Sequence, residues 1–131
     1  MNNVITKEKC IPYLLEIAPD FTHAWQDHLK YWEGENTSIW LDIGAFSDYV
    51  IDAIIKMDDD QKTKLFNAVE ELLIYGDDDV QNAIATCFLE NIVNASDEII
   101  PSDVFVSFLG TFSREHCCTW NEYNGIRETF F

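Results

Sequence analysis

Between Asp58 and Ile92 the chain reads DDDQKTKLFNAVEELLIYGDDDVQNAIATCFLENI, and this stretch decides the fold class. From Val80 onward the apolar residues Val80, Ala83, Ile84, Cys87, Phe88 and Ile92 recur at the spacing of one helical face. Ala85, Leu89 and Val93 add a second stripe. A helix that is apolar over most of its circumference is packed on more than one side, so this segment is expected to be the central helix of the domain. Asp77, Asp78 and Asp79 stand directly before it, where carboxylates satisfy free N–H groups and meet the positive end of the helix dipole. The preceding segment has the same grammar. Asp58, Asp59 and Asp60 open it, Leu65, Phe66, Val69, Leu72 and Leu73 form its buried face, and Tyr75-Gly76 closes it, which predicts a left-handed glycine cap. Two helices joined by so short a turn form an antiparallel hairpin. An offset of 19 residues pairs Asp58 with Asp77, Leu65 with Ile84, Val69 with Phe88 and Glu71 with Glu90. Because most of the identities are cap residues, two generic capped helices explain the match as well as a repeat does.

Working outward, Phe21, Trp25, Leu29 and Trp32 space a helix that starts near Asp20 after Pro19, and Gly34 separates it from the next. Ile43, Phe46, Val50, Ala53, Ile54 and Met57 space that next helix, which ends before the first Asp triplet. A short helix containing Tyr13, Leu14 and Ile17 is expected at the start, with Pro12 in its first turn. Downstream, Val104, Phe105, Phe108, Leu109 and Phe112 predict a helix after Pro101, although Val104-Phe105-Val106 also suits a strand. A last helix runs from about Ser113 to Tyr123 and stops at Asn124-Gly125. No linker or low-complexity tract divides the chain. The expectation is an all-α fold: one domain over residues 1–131, a compact bundle of about six to seven helices around the central hairpin.

Composition narrows the function. The chain of 131 residues carries 24 Asp and Glu against 8 Lys and Arg, a formal net charge of −16. Proteins that hold nucleic acid through its phosphates need a basic face, and docking on an anionic membrane needs Lys and Arg as well, so neither partner is expected. The start, MNNVITKEK, has no apolar run after a basic stretch, and no apolar stretch approaches the roughly 20 residues of a bilayer-spanning helix. A cytoplasmic protein is the expectation. Cys10, Cys87, Cys117 and Cys118 show no disulfide-framework spacing and no C-x-x-C, which suits reduced thiols.

Motifs for chemistry are missing. There is no G-x-x-x-x-G-K-[ST] and no G-x-G-x-x-G. Neither Asp triplet opens an EF-hand, since Thr63 and Asn82 stand where its glycine belongs. Carboxylate-bridged di-metal sites need Glu-x-x-His twice, and it does not occur. His23 and Asp27, one turn apart, read as an exposed pair, and His28 beside Trp25, Leu29 and Trp32 as a hydrogen-bonded histidine at the edge of the core. His116 and Cys117 point to different sides of a helix, so they do not form a nucleophile and base. The expectation is a binding protein, not an enzyme, with no cofactor and no metal.

The positive signal is where the acid lies. The 49 residues between Lys64 and Arg114 hold Glu70, Glu71, Asp77, Asp78, Asp79, Glu90, Asp97, Glu98 and Asp103 and no Lys or Arg. Capping uses part of this charge. The remainder leaves a one-signed region whose self-repulsion opposes folding, and a basic partner would relieve it.

Two segments carry a resemblance. FTHAWQDHLKYWEGE (Phe21 to Glu35) followed by DIGAFSDYV (Asp42 to Val50), and YGDDDVQNAIATCFLENI (Tyr75 to Ile92), resemble an uncharacterised family of small acidic bacterial proteins of the kind that accompany secreted toxins. The second segment also resembles the inner helix of a HEAT-type repeat, with Gln81 where such repeats usually have Arg. The resemblance implies an immunity protein of a contact-dependent or polymorphic toxin system, one that binds the toxin domain and blocks it. Many such toxin domains are basic nucleases, and carboxylates presented where substrate phosphates sit would occlude their active sites. On this expectation Asp77, Asp78, Asp79, Glu70, Glu71, Asp97 and Glu98 face the partner, with Trp32 and Trp40 as aromatic anchors. The alternative is a HEAT-like interaction adaptor without a toxin partner.

Overall fold

A computed structural model describes residues 4–125. Its α-helices are α1 (Lys7–Ile17), α2 (Thr22–Tyr31), α3 (Ile39–Ala53), α4 (Asp59–Tyr75), α5 (Asp78–Ala83), α6 (Glu90–Ala95) and α7 (Thr111–Tyr123), and the described residues form no strand. The all-α bundle is therefore as the periodicity predicts. Among the described residues no helix is long and apolar enough to cross a membrane.

The central hairpin forms where the caps place it. Asp58 Oδ1 accepts from Gln61 N–H at 2.8 Å, and Gln61 Oε1 accepts from Asp58 N–H at 3.0 Å, a reciprocal capping box that fixes the start of α4. Asp77 Oδ1 accepts from Val80 N–H at 2.9 Å and starts α5. Between them Gly76 is not the left-handed cap expected of it, because its φ of −68° and ψ of 153° are extended. Glycine is needed there for room. A Cβ would lie 2.6 Å from Val80 Cγ1, and the chain before α1 also docks at this turn, Ile5 N–H donating to Tyr75 O at 2.8 Å and Asp77 N–H to Ile5 O at 3.0 Å.

The expected central helix is a rod over residues 78–95, in which a π turn, Ile84–Leu89, joins α5 to α6. Thr86 Oγ1 donates to Asn82 O at 2.8 Å and Asn91 Nδ2 to Cys87 O at 2.7 Å, side-chain donors for carbonyls at the edges of the widened turn. Val80, Ala83, Ile84, Phe88, Leu89, Ile92 and Val93 are buried along the rod, with α3 and α4 packed against it and α7 covering the π turn. A string of rings crosses the bundle through it. Phe21 meets Phe46 edge-on at 5.1 Å, Phe46 stacks on Phe88 at 5.5 Å, Phe88 lies 6.2 Å from Phe66, and Phe66 stacks on Phe108 at 6.5 Å. Single 3-10 turns at Pro19–Phe21 and Ile54–Lys56 lead into α2 and out of α3.

Three further expectations need correction. Pro12 stands inside α1, not in its first turn, because the helix begins at Lys7. The stripe on α2 is only partly internal: Phe21 is buried just ahead of it and Trp25 packs on the core, but Leu29 is about half exposed. The helix expected after Pro101 is replaced by two 3-10 turns, Ser102–Val104 and Val106–Phe108, with Phe105 between them at φ −131°. β-branched and aromatic residues lose side-chain freedom in a helix, and the turns bury Phe105 and Leu109 while placing Phe108 on Phe66.

Candidate functional site

The start of α5 is the acidic end of the bundle. Asp77 is half-buried by its capping bond, and Asp78 and Asp79 are exposed in the first turn, where the helix dipole favours carboxylates. Neither is needed as a cap. Beside this turn lies the start of α3, where Asp42 pairs with His28 Nε2 at 2.9 Å; their side chains are only 16% and 10% exposed. Trp25 stacks on the His28 ring at 5.3 Å, so this histidine sits at the edge of the core as its neighbours in sequence suggest. Asp77 and Asp42 both act on Cys10: burial first, then these two carboxylates, push its thiol up to about 12. Both acids therefore lie within electrostatic reach of one buried side chain, where α1, α3 and α5 pack on one another.

Trp40, in the first turn of α3, is 37% exposed. It walls a cleft of about 250 Å³ together with Lys7, Glu8, Thr37, Ser38, Ile39 and Asp42. Because residues 5–8 run from the Gly76 turn to this cleft, Trp40 and the Asp77 turn share one end of the molecule. Trp32 closes α2 half-buried, with Tyr31 edge-on at 5.2 Å and itself exposed.

The other expected contact residues are placed elsewhere. Glu70 turns to α7, its carboxylate accepting from Phe112 N–H, Ser113 N–H and Ser113 Oγ. Glu71 is exposed and accepts from the Tyr13 hydroxyl, which burial and this carboxylate hold above the ordinary tyrosine range. Asp97 and Glu98 are exposed beyond the far end of the rod, roughly 27 Å from Asp77 at 1.5 Å per residue. Asp97 also makes its turn, with φ of 63° and Oδ1 accepting from Ser102 N–H at 3.0 Å. One acidic cluster over all seven carboxylates is thus not assembled.

Sequence reading missed a polar seam between α6 and α7. Glu90 Oε2 meets His116 Nε2 at 2.8 Å, and one turn along each helix Asn94 Oδ1 accepts from Trp120 Nε1 at 3.1 Å. The matched four-residue spacings of Glu90/Asn94 and His116/Trp120 were the available signal. His23 and Asp27 form the exposed i, i+4 pair expected of them, at 3.8 Å. All four cysteines are free, and burial pushes Cys117 up to about 12, away from nucleophilic use. Among the described residues no three His, Cys, Asp or Glu side chains gather as metal ligands would.

Residues 11–125 match the model of a family described as a domain of unknown function, DUF7674. The chain belongs to this family. No curated protein and no solved structure matches it. The DUF7674 match takes in Trp32, Trp40, Asp42 and the Asp77 turn, whereas Lys7 and Glu8, which complete the cleft, precede it.

Proposed function

We propose that this DUF7674 protein is an immunity protein that binds a basic toxin domain, a nuclease being the best fit, and neutralises it by covering its active site with an acidic surface. The observation that carries the reading is the end of the bundle that holds exposed Asp78 and Asp79, the Asp77 cap, and the cleft in which Asp42 and Glu8 accompany the exposed Trp40. Asp77 alone caps α5, so the further acids raise self-repulsion without a capping role. A field of this sign steers a basic partner, and association can then approach about 10⁸–10⁹ M⁻¹s⁻¹, while aromatic anchors supply much of the affinity. Glu71 is exposed on α4, where it accepts from Tyr13, and would be met by a partner that reaches beyond the Asp77 end. Glu70 is removed from it, being bound to α7. Asp97 and Glu98 would touch only a partner broad enough to span the rod.

The test is co-expression with the C-terminal domain of the protein encoded beside it. Relief of growth arrest supports the reading, and arrest that this chain leaves unrelieved overturns it. In a purified pair, Asp78→Asn with Asp79→Asn should lower the association rate and flatten its dependence on ionic strength. An unchanged rate and slope would favour the HEAT-like adaptor, which binds through packing.

A further inference from the structure

We infer that the cleft between the starts of α1 and α3 is the seat for one arginine side chain of the partner, its guanidinium lying on Trp40 and paired with Asp42 and Glu8. The inference rests on the proposed basic partner and deepens it. At about 250 Å³ the cleft is below the size of a cofactor pocket and suits a single long side chain. Its lining includes one tryptophan and two acids, Glu8 and Asp42, residue types that favour a planar delocalised cation over a compact ammonium. Asp42 is set in advance: Oδ1 is held by His28, both side chains are largely buried, and Oδ2 makes no hydrogen bond to any described residue. A carboxylate already fixed loses little freedom on binding. Asp77, at the same end of the bundle, adds to the negative field.

Lys7 is the opposing group. It lines the same cleft, is exposed, and pairs with no carboxylate among the described residues, so it weakens a bound cation and would attract an anion instead. That gives the experiment its sign.

The full chain is titrated with N-acetyl-arginine methylamide, N-acetyl-lysine methylamide and acetate, and the Trp40 indole N–H resonance, identified by Trp40→Phe, is followed by NMR. The arginine probe should shift it saturably and bind about fivefold tighter than the lysine probe. Glu8→Gln, at an exposed position that leaves the fold intact, should weaken the arginine probe about threefold, and Lys7→Gln should tighten it about twofold. Equal response to the two cations, no saturable shift, or acetate binding that Lys7→Gln abolishes would each overturn the seat. Growth relief without arginine binding removes the seat and keeps the immunity reading; arginine binding without relief keeps the seat and removes the toxin.

Discussion

The Glu70 carboxylate accepts both the backbone N–H and the hydroxyl of Ser113, at 2.9 and 2.8 Å, and takes Phe112 N–H on its other oxygen at 2.7 Å. Helix α7 has Gly110 at its N-cap, which has no side chain to cap it. The cap comes instead from α4, across 43 residues of sequence. Gly110 lets the carboxylate in, since a Cβ there would stand 2.7 Å from Glu70 Cγ. A charge that looks like part of a binding face is therefore a joint of the fold.

Removing the joint should cost stability and leave recognition alone. Glu70→Ala strands two backbone donors and a buried hydroxyl, for a loss of about 2–3 kcal/mol by urea denaturation. Glu71→Ala, at an exposed neighbour, should stay within about 0.5 kcal/mol of wild type apart from the Tyr13 contact. The folded fraction of Glu70→Gln should associate with the partner at the wild-type rate.

Much of this architecture was legible because it is local. Asp58 and Asp77 announce helix starts through bonds to residues three positions away, and the stripe from Val80 to Ile92 is buried as its spacing requires. What failed is what distant contacts decide. The Val104 to Phe112 run has helical spacing, yet Phe105 and Phe108 reach their neighbours only through 3-10 turns. Helix grammar predicts a left-handed cap at Gly76, but it is the close approach of Val80 that demands glycine there. The same holds at the site: the Asp triplet marks a helix start by its spacing, whereas its sharing one end with Trp40 depends on where residues 5–8 cross, which no spacing records.

The ring string makes Phe88 the side chain whose loss should be felt most. It touches both Phe46 and Phe66, is fully buried, and sits in the π turn, where the widened backbone cannot close easily on a void. Phe88→Ala is expected to cost about 3–5 kcal/mol, and Phe88→Leu less because most of the volume is kept. Thermal unfolding by circular dichroism checks both.

Asp97 offers a separation of turn from surface. Its φ of 63° suits Asn as well as Asp, and Asn retains an acceptor for Ser102 N–H. Asp97→Asn should hold stability within about 0.5 kcal/mol while removing one charge, whereas Asp97→Val should cost about 1–2 kcal/mol because a β-branched residue resists this conformation. Urea midpoints measure the pair, and the association rate of Asp97→Asn reports whether the far end of the rod meets the partner.

The buried thiols set the alkaline limit of the fold. Cys10 and Cys117 are pushed up to about 12 from an ordinary 9, chiefly by burial, so each stays protonated in the folded protein at pH values where the unfolded chain ionises. The folded state then binds more protons than the unfolded one, and stability must fall as pH rises from about 9 toward 12. Its contribution is complete below 9, with a slope above that of at most about 1.4 kcal/mol per pH unit for each thiol. Alkylation supplies the second readout. At pH 8 iodoacetamide should leave Cys10 and Cys117 unmodified in the native protein and label both once urea unfolds it, as peptide mass analysis will show. Native labelling of Cys10 at the rate of the unfolded chain would mean that the acidic end opens, and that Asp42 and Asp77 are not held beside it.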